Sequence, residues 1–135
     1  MNKLFVVLFV LLLVSCVMEP PYDKRLLIVN KSNKVICFDY ELDTILDVPS
    51  INGKEFFIGE RINPGDSNRI ESQGSWDHWV WEVSHGKDST LSIFVFDFEQ
   101  VLVTDWDTLR SNKKYERMDF KLTDLNKINW TVIVK

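Results

Sequence analysis

From residue 25 onward, apolar and polar side chains mostly alternate, and a period of two predicts strands. Leu26-Leu27-Ile28-Val29 is a short apolar run, and Asn30-Lys31-Ser32-Asn33 after it are turn residues. From Val35 to Leu42 the alternation is regular. Ile36, Phe38, Tyr40 and Leu42 fall on one face, and Cys37, Asp39 and Glu41 on the other. This is a half-buried strand, and the two runs read as a hairpin. Residues 43–54 show no period and read as a loop, and Phe56-Phe57-Ile58 reads as the start of the next strand. Pro64-Gly65 predicts a type II turn, with proline fixing φ at the first central position and glycine taking the positive φ at the second. Ile70 then lies on the returning strand.

Thr90 to Phe98 is apolar on both faces, with Phe94, Phe96 and Phe98 on one side and Leu91, Ile93 and Val95 on the other. That composition predicts a central strand covered on both sides. Tyr115 to Leu122 sends Met118, Phe120 and Leu122 inward. A capped turn at 123–126 leads to a last strand, Asn129 to Val134, with Trp130, Val132 and Val134 on one face. Ser75 to Ser84 fits a helix better than a strand. Trp76, Trp79, Val80 and Val83 share a face at 3.6 spacing, Ser75 is the expected N-cap, and His85-Gly86 ends it. In that helix Trp76 and Trp79 face the core, and Trp81 falls on the polar side with Asp77 and His78. A second short helix is expected over 105–111, capped by Thr104. About seven short strands with one or two short helices, in no strand-helix-strand repeat, predict a mainly β domain: an antiparallel, two-layer sandwich.

The first eighteen residues differ from the rest. Lys3 is the only charge before Glu19, and Leu4 to Leu13 is an unbroken apolar run. The run is shorter than the ~20 residues a membrane-spanning helix needs. A positive start, a short apolar core and a small residue before a cut describe a signal peptide. Leu13-Val14-Ser15-Cys16 resembles the bacterial lipobox, which implies cleavage before Cys16 and diacylglyceryl and acyl groups on that cysteine. The expected organisation is a signal peptide over 1–15, a lipidated tether over 16–24 and one β-rich domain over 25–135. Cleavage leaves 120 residues, a single-domain length, and removes Lys3 from the chain's net charge of −4. With Cys16 acylated, Cys37 has no partner within the chain and reads as a small buried hydrophobe. A mildly acidic domain whose densest basic group is Lys113-Lys114 with Arg110 and Arg117 is not built for nucleic acid.

The layout resembles the small uncharacterised lipoproteins of Bacteroidetes-type bacteria. The resemblance is carried by Val29-Asn30-Lys31-Ser32, the Ile62–Gly65 turn, the Leu91–Asp97 strand, and Phe120–Leu125 with Asn129–Val132. It implies an envelope address and no reaction. Val17 after the cysteine, where inner-membrane retention has Asp, implies the outer membrane and leaves the periplasmic and surface faces open. Asp43-Thr44-Ile45, Asp88-Ser89-Thr90 and Asp107-Thr108-Leu109 resemble the O-glycosylation signal of such exported proteins, making Thr44, Ser89 and Thr108 candidate acceptors. The same dipeptides are also turn and cap chemistry.

Motifs for catalysis are absent: the chain has no GxSxG, HExxH, P-loop or GxGxxG. His78 and His85 with Asp77 and Asp88 lack a recognised ligand spacing and read as polar surface, so no metal or cofactor is expected. Asp97, Glu99, Asp105 and Asp107 flank one end of the central strand and read as a solvated rim or helix N-terminal charge. As a pair across a scissile bond, two of them would make a hydrolase. Trp81 is the candidate ligand contact, since an exposed indole stacks on sugar faces. The expected function is a non-enzymatic, membrane-anchored β domain that binds or supports an envelope protein or glycan. The alternatives are a glycan-binding module using Trp81 and a hydrolase using the acidic rim.

Overall fold

A computed structural model of the chain describes residues 21–135, so Cys16 and the signal segment lie outside the described residues. The domain is mainly β. Its strands are β1 (Tyr22–Asn30), β2 (Ile36–Glu41), β3 (Ser67–Gln73), β4 (Thr90–Asp97), β5 (Glu116–Lys121) and β6 (Thr131–Val134). They form two three-stranded sheets, ordered β3-β1-β6 and β2-β4-β5, packed as a sandwich. Every pairing is antiparallel except β1 with β6. β1 starts at Tyr22, close to the start of the described residues.

Five short α-helices join the six strands, where one or two were expected: α1 (Lys54–Gly59), α2 (His78–His85), α3 (Phe98–Val103), α4 (Trp106–Ser111) and α5 (Leu122–Lys127). β4 sits in the middle and is buried on both faces. Its Leu91, Ile93 and Val95 join Leu26, Ile28, Trp79 and Val132 in the core between the sheets. Its Phe94 and Phe96 face away, into a second core under the helices, with Cys37, Phe57, Val101, Trp106 and Leu109. The helices α1, α3 and α4 therefore form a third layer on the outer face of the second sheet. This layer is why Cys37 is fully buried although it shares a face with Asp39 and Glu41.

The predicted β1–β2 hairpin does not form. β1 is flanked by β3 and β6, and β2 pairs with β4 in the other sheet. The turn between them is a corner pinned by the buried Asn30. Its side-chain amide donates to the carbonyls of Lys34 (2.7 Å) and Ile62 (2.9 Å), and its Oδ1 accepts from the Ser32 amide (3.0 Å). Nor is Phe56-Phe57-Ile58 a strand. It is α1, of which only Phe57 is buried, stacked on Trp106 at 4.3 Å. A three-residue apolar run carries no period to separate helix from strand. The Pro64-Gly65 turn is as expected, with Gly65 at φ 85° and the Asp66 amide donating to the Asn63 carbonyl at 3.0 Å.

Helix α2 begins at His78, later than Ser75, and its own N-cap residue Asp77 makes no side-chain cap. The cap comes from another element. Asp23 on β1, 2% exposed, accepts the Trp79 amide at 3.0 Å and the Arg25 Nε at 2.8 Å. The later start leaves Trp76 outside the helix and 74% exposed, while Trp79 and Val83 are fully buried. Gly86 ends the helix at φ −65°, without the left-handed turn usual for a terminal glycine. Its role is close approach, because a Cβ there would stand 2.9 Å from the Leu42 carbonyl oxygen. Helix α4 is capped by Asp105, accepting the Thr108 amide at 2.9 Å, in place of Thr104.

Candidate functional site

The two sheets leave their edges open on one side. Ile36 spends both backbone groups on Ile62, pointing away from β4. Strand hydrogen bonding alternates, so Phe38 and Tyr40 also direct their backbone groups outward. Beyond Ile62, no described strand pairs with that edge of β2, and β3 likewise pairs only with β1. Between these edges lies a cleft of about 580 Å³. Phe38, Tyr40, Phe57 and Ile70 give it an apolar floor, and the exposed Ile51 and Phe56 stand at its mouth.

Its charge is one-sided. Asp39, Glu41, Asp47, Glu60 and Glu71 line it against only Arg69 and Arg110. Both arginines are engaged. Arg110, 3% exposed, is ion-paired with Asp39 and donates from Nε to the Asp47 carbonyl at 2.8 Å. Arg69 donates to the Lys24 carbonyl at 2.6 Å. Asp39 is thus committed to holding Arg110. Glu41, two residues on, has no ion-pair or hydrogen-bond partner for its carboxyl among the described residues. Partial burial first, and the negative charges of Asp39 and Asp47 next, push its pKa up to about 7. A carboxyl so placed takes or releases a proton near neutrality, and a cation brought to it favours release.

Trp81, the predicted contact, is not in this cleft. It lies 56% exposed on α2, one turn after His78 and one turn before His85, with ring centroids 5.8 and 4.7 Å away and nearly parallel planes. Imidazoles thus stack on the indole that a sugar would need to face. Below them, the Ser72 hydroxyl donates to Glu82 at 2.7 Å and meets His78 Nδ1 at 2.7 Å. Serine and glutamate crowd the same ring nitrogen, which is a packing arrangement and not the two-sided relay of a hydrolytic triad. No group of three or more His, Cys, Asp or Glu among the described residues is placed to hold a metal ion.

Of the four carboxylates of the expected acidic rim, Asp97, Asp105 and Asp107 are structural, and none of the four lines the cleft. Asp97 accepts the Glu99 amide that opens α3, and its hydrogen bond to Lys34 at 2.6 Å holds its pKa below the usual range. Asp105 caps α4, and the Thr108 amide lowers its pKa in the same way. Asp107 accepts the Ser50 amide at 3.0 Å, and Glu99 lies in the first turn of α3. Of the candidate acceptors, Ser89 and Thr108 are exposed and Thr44 is half-buried. Thr108 stands in α4, its hydroxyl donating to Asp105 at 3.0 Å.

The cleft residues were missed because alternation assigns Asp39 and Glu41 to a solvent face and says nothing of what borders it. No helix among the described residues is long and apolar enough to cross a membrane. Comparison with models of protein families, with curated proteins and with solved structures found no match to this chain.

Proposed function

We propose that the chain is exported, lipidated on Cys16 and held at the outer membrane, where its β domain acts as a non-enzymatic binding module. The target is an extended, basic segment of an envelope protein. The lipobox-like Leu13-Val14-Ser15-Cys16 supports the anchor. The observation that carries the binding role is the cleft itself, which offers the free outer edge of β2 beside an apolar floor and an excess of acidic side chains. An added strand uses the backbone edge for affinity and the pockets for alternate side chains. The acid excess selects lysine or arginine among those side chains.

The test of the anchor is fatty-acid labelling with detergent partitioning; label persisting on Cys16→Ser defeats it. The test of binding is selection from a phage-displayed random decapeptide library against the folded domain. Enriched peptides should carry a basic residue beside apolar ones and lose binding to Glu41→Lys and Ile51→Asp. Peptides with no basic preference, or equal binding to both variants, overturn the assignment. A second reading, a hydrolase, is favoured by one observation, the Glu41 carboxyl poised near neutrality in a cleft with Asp47. Turnover of chromogenic glycosides that is lost in Glu41→Gln would establish it in place of the first.

A further inference from the structure

We infer that Trp76 is a second membrane contact, an indole that seats in the lipid interface and sets how the domain stands on the bilayer. The inference rests on the lipid anchor at Cys16. The amide of Gly74 donates to the carbonyl of Pro21 at 3.2 Å, so the 74–77 loop is tied to the point where the chain enters the domain. Trp76 follows two residues later, and Arg25 at the start of the domain donates to its carbonyl at 2.7 Å. The indole itself is 74% exposed and makes no aromatic or hydrogen-bonded contact among the described residues.

Chain length decides which way this end points. Cys16 and Pro21 are five residues apart, which is at most ~18 Å at full extension. A domain of about 115 residues is ~35 Å across. A lipid on Cys16 therefore cannot reach around to the far side, which keeps the Pro21–Trp76 end on the half of the domain nearer the bilayer. There an exposed indole meets the environment it favours, with an apolar body below and an N–H among the headgroups. Electrostatics adds little. Asp23 and Asp77 are paired with Arg25, and Glu71 with Lys24 at 2.6 Å, which leaves Arg69, donating to the Lys24 carbonyl, as a cation here without a carboxylate partner among the described residues. The contact is apolar and should persist in zwitterionic vesicles and at high salt.

The test uses the full, fatty-acylated chain reconstituted into phosphatidylcholine vesicles containing a headgroup-proximal doxyl lipid. A Trp81→Phe background leaves Trp76 as the exposed indole, since Trp79, Trp106 and Trp130 are buried. Emission should be quenched by the doxyl lipid, and adding Trp76→Phe should abolish most of that quenching without changing the melting temperature. Equal quenching with and without Trp76, in a chain that carries label and floats with the vesicles, overturns the inference and leaves the anchor standing. A chain that carries no fatty-acid label and does not float removes the anchor and the inference together.

Discussion

Glu41→Gln should stabilise the domain above neutral pH and leave it unchanged in mild acid. Glu41 has its pKa pushed from 4.5 to about 7, chiefly by burial. The folded state therefore holds a proton there that the unfolded chain releases at about 4.5. Between those values the native state binds more protons, so stability falls as pH rises through the window from about 4.5 to about 7. A shift of that size corresponds to about 3 kcal/mol at ~1.4 kcal/mol per unit. The carboxyl is only partly buried, and solvent screening reduces this to ~1–2 kcal/mol. Gln keeps the shape of the neutral acid and carries no charge. Urea unfolding from pH 4 to pH 9 should show wild type and variant coinciding near pH 4–5. They should then separate by ~1–2 kcal/mol at pH 8, about 4–8 °C in melting temperature for a domain of this size. Parallel curves at every pH, or a variant less stable at pH 8, would show that Glu41 is not strained by ionisation.

Asp23→Ala should cost ~2–4 kcal/mol, because it orphans the Trp79 amide at the start of α2 and strips Arg25 of its buried partner; Asp23→Asn, which keeps an acceptor, should cost less in the same thermal melts. Arg110→Ala should cost ~3–5 kcal/mol by leaving Asp39 uncompensated beside Glu41, and a loss below 1 kcal/mol would place that pair in solvent. Cys37, fully buried with its thiol pushed up to about 11, should resist iodoacetamide at pH 8 until the domain unfolds, and Cys37→Ala should lower stability by about 1 kcal/mol; rapid labelling of the native domain would contradict the burial.

The parts of the fold legible in the sequence are those governed by local rules. Thr90–Asp97 announced a strand buried on both faces because both its odd and even positions are apolar. Met118 and Phe120 turn inward as their alternation requires, and Gly65 takes the φ its turn demands. What failed was partnership. Adjacent strands β1 and β2 read as a hairpin because nearness along the chain is the default. Nothing local reveals that Asn30 turns a corner between sheets. Trp76 and Trp79 looked equivalent at helical spacing, but Asp23, fifty-six residues before Trp79, fixes where the helix starts and so which indole is buried.

The candidate site was illegible for a related reason. A period of two assigns a residue to a face, and a binding cleft at the margin of a sandwich belongs to an edge. Asp39 and Glu41 sit on the face that alternation gives to solvent, yet Arg110 from α4 in the helical layer reaches over to Asp39, held there by the carbonyl of Asp47. Those helices were only partly foreseen, so the burial that raises Glu41 had no visible source in the sequence. Charges on a free edge also protect it against association with other strands. At Asp39 the charge is cancelled by Arg110, while at Glu41 it is opposed by burial and can be lost by protonation. An edge guarded by a carboxyl that titrates near neutrality repels an acidic strand above that point and accepts a basic one, which makes the same residue both the guard of the β2 edge and its selector.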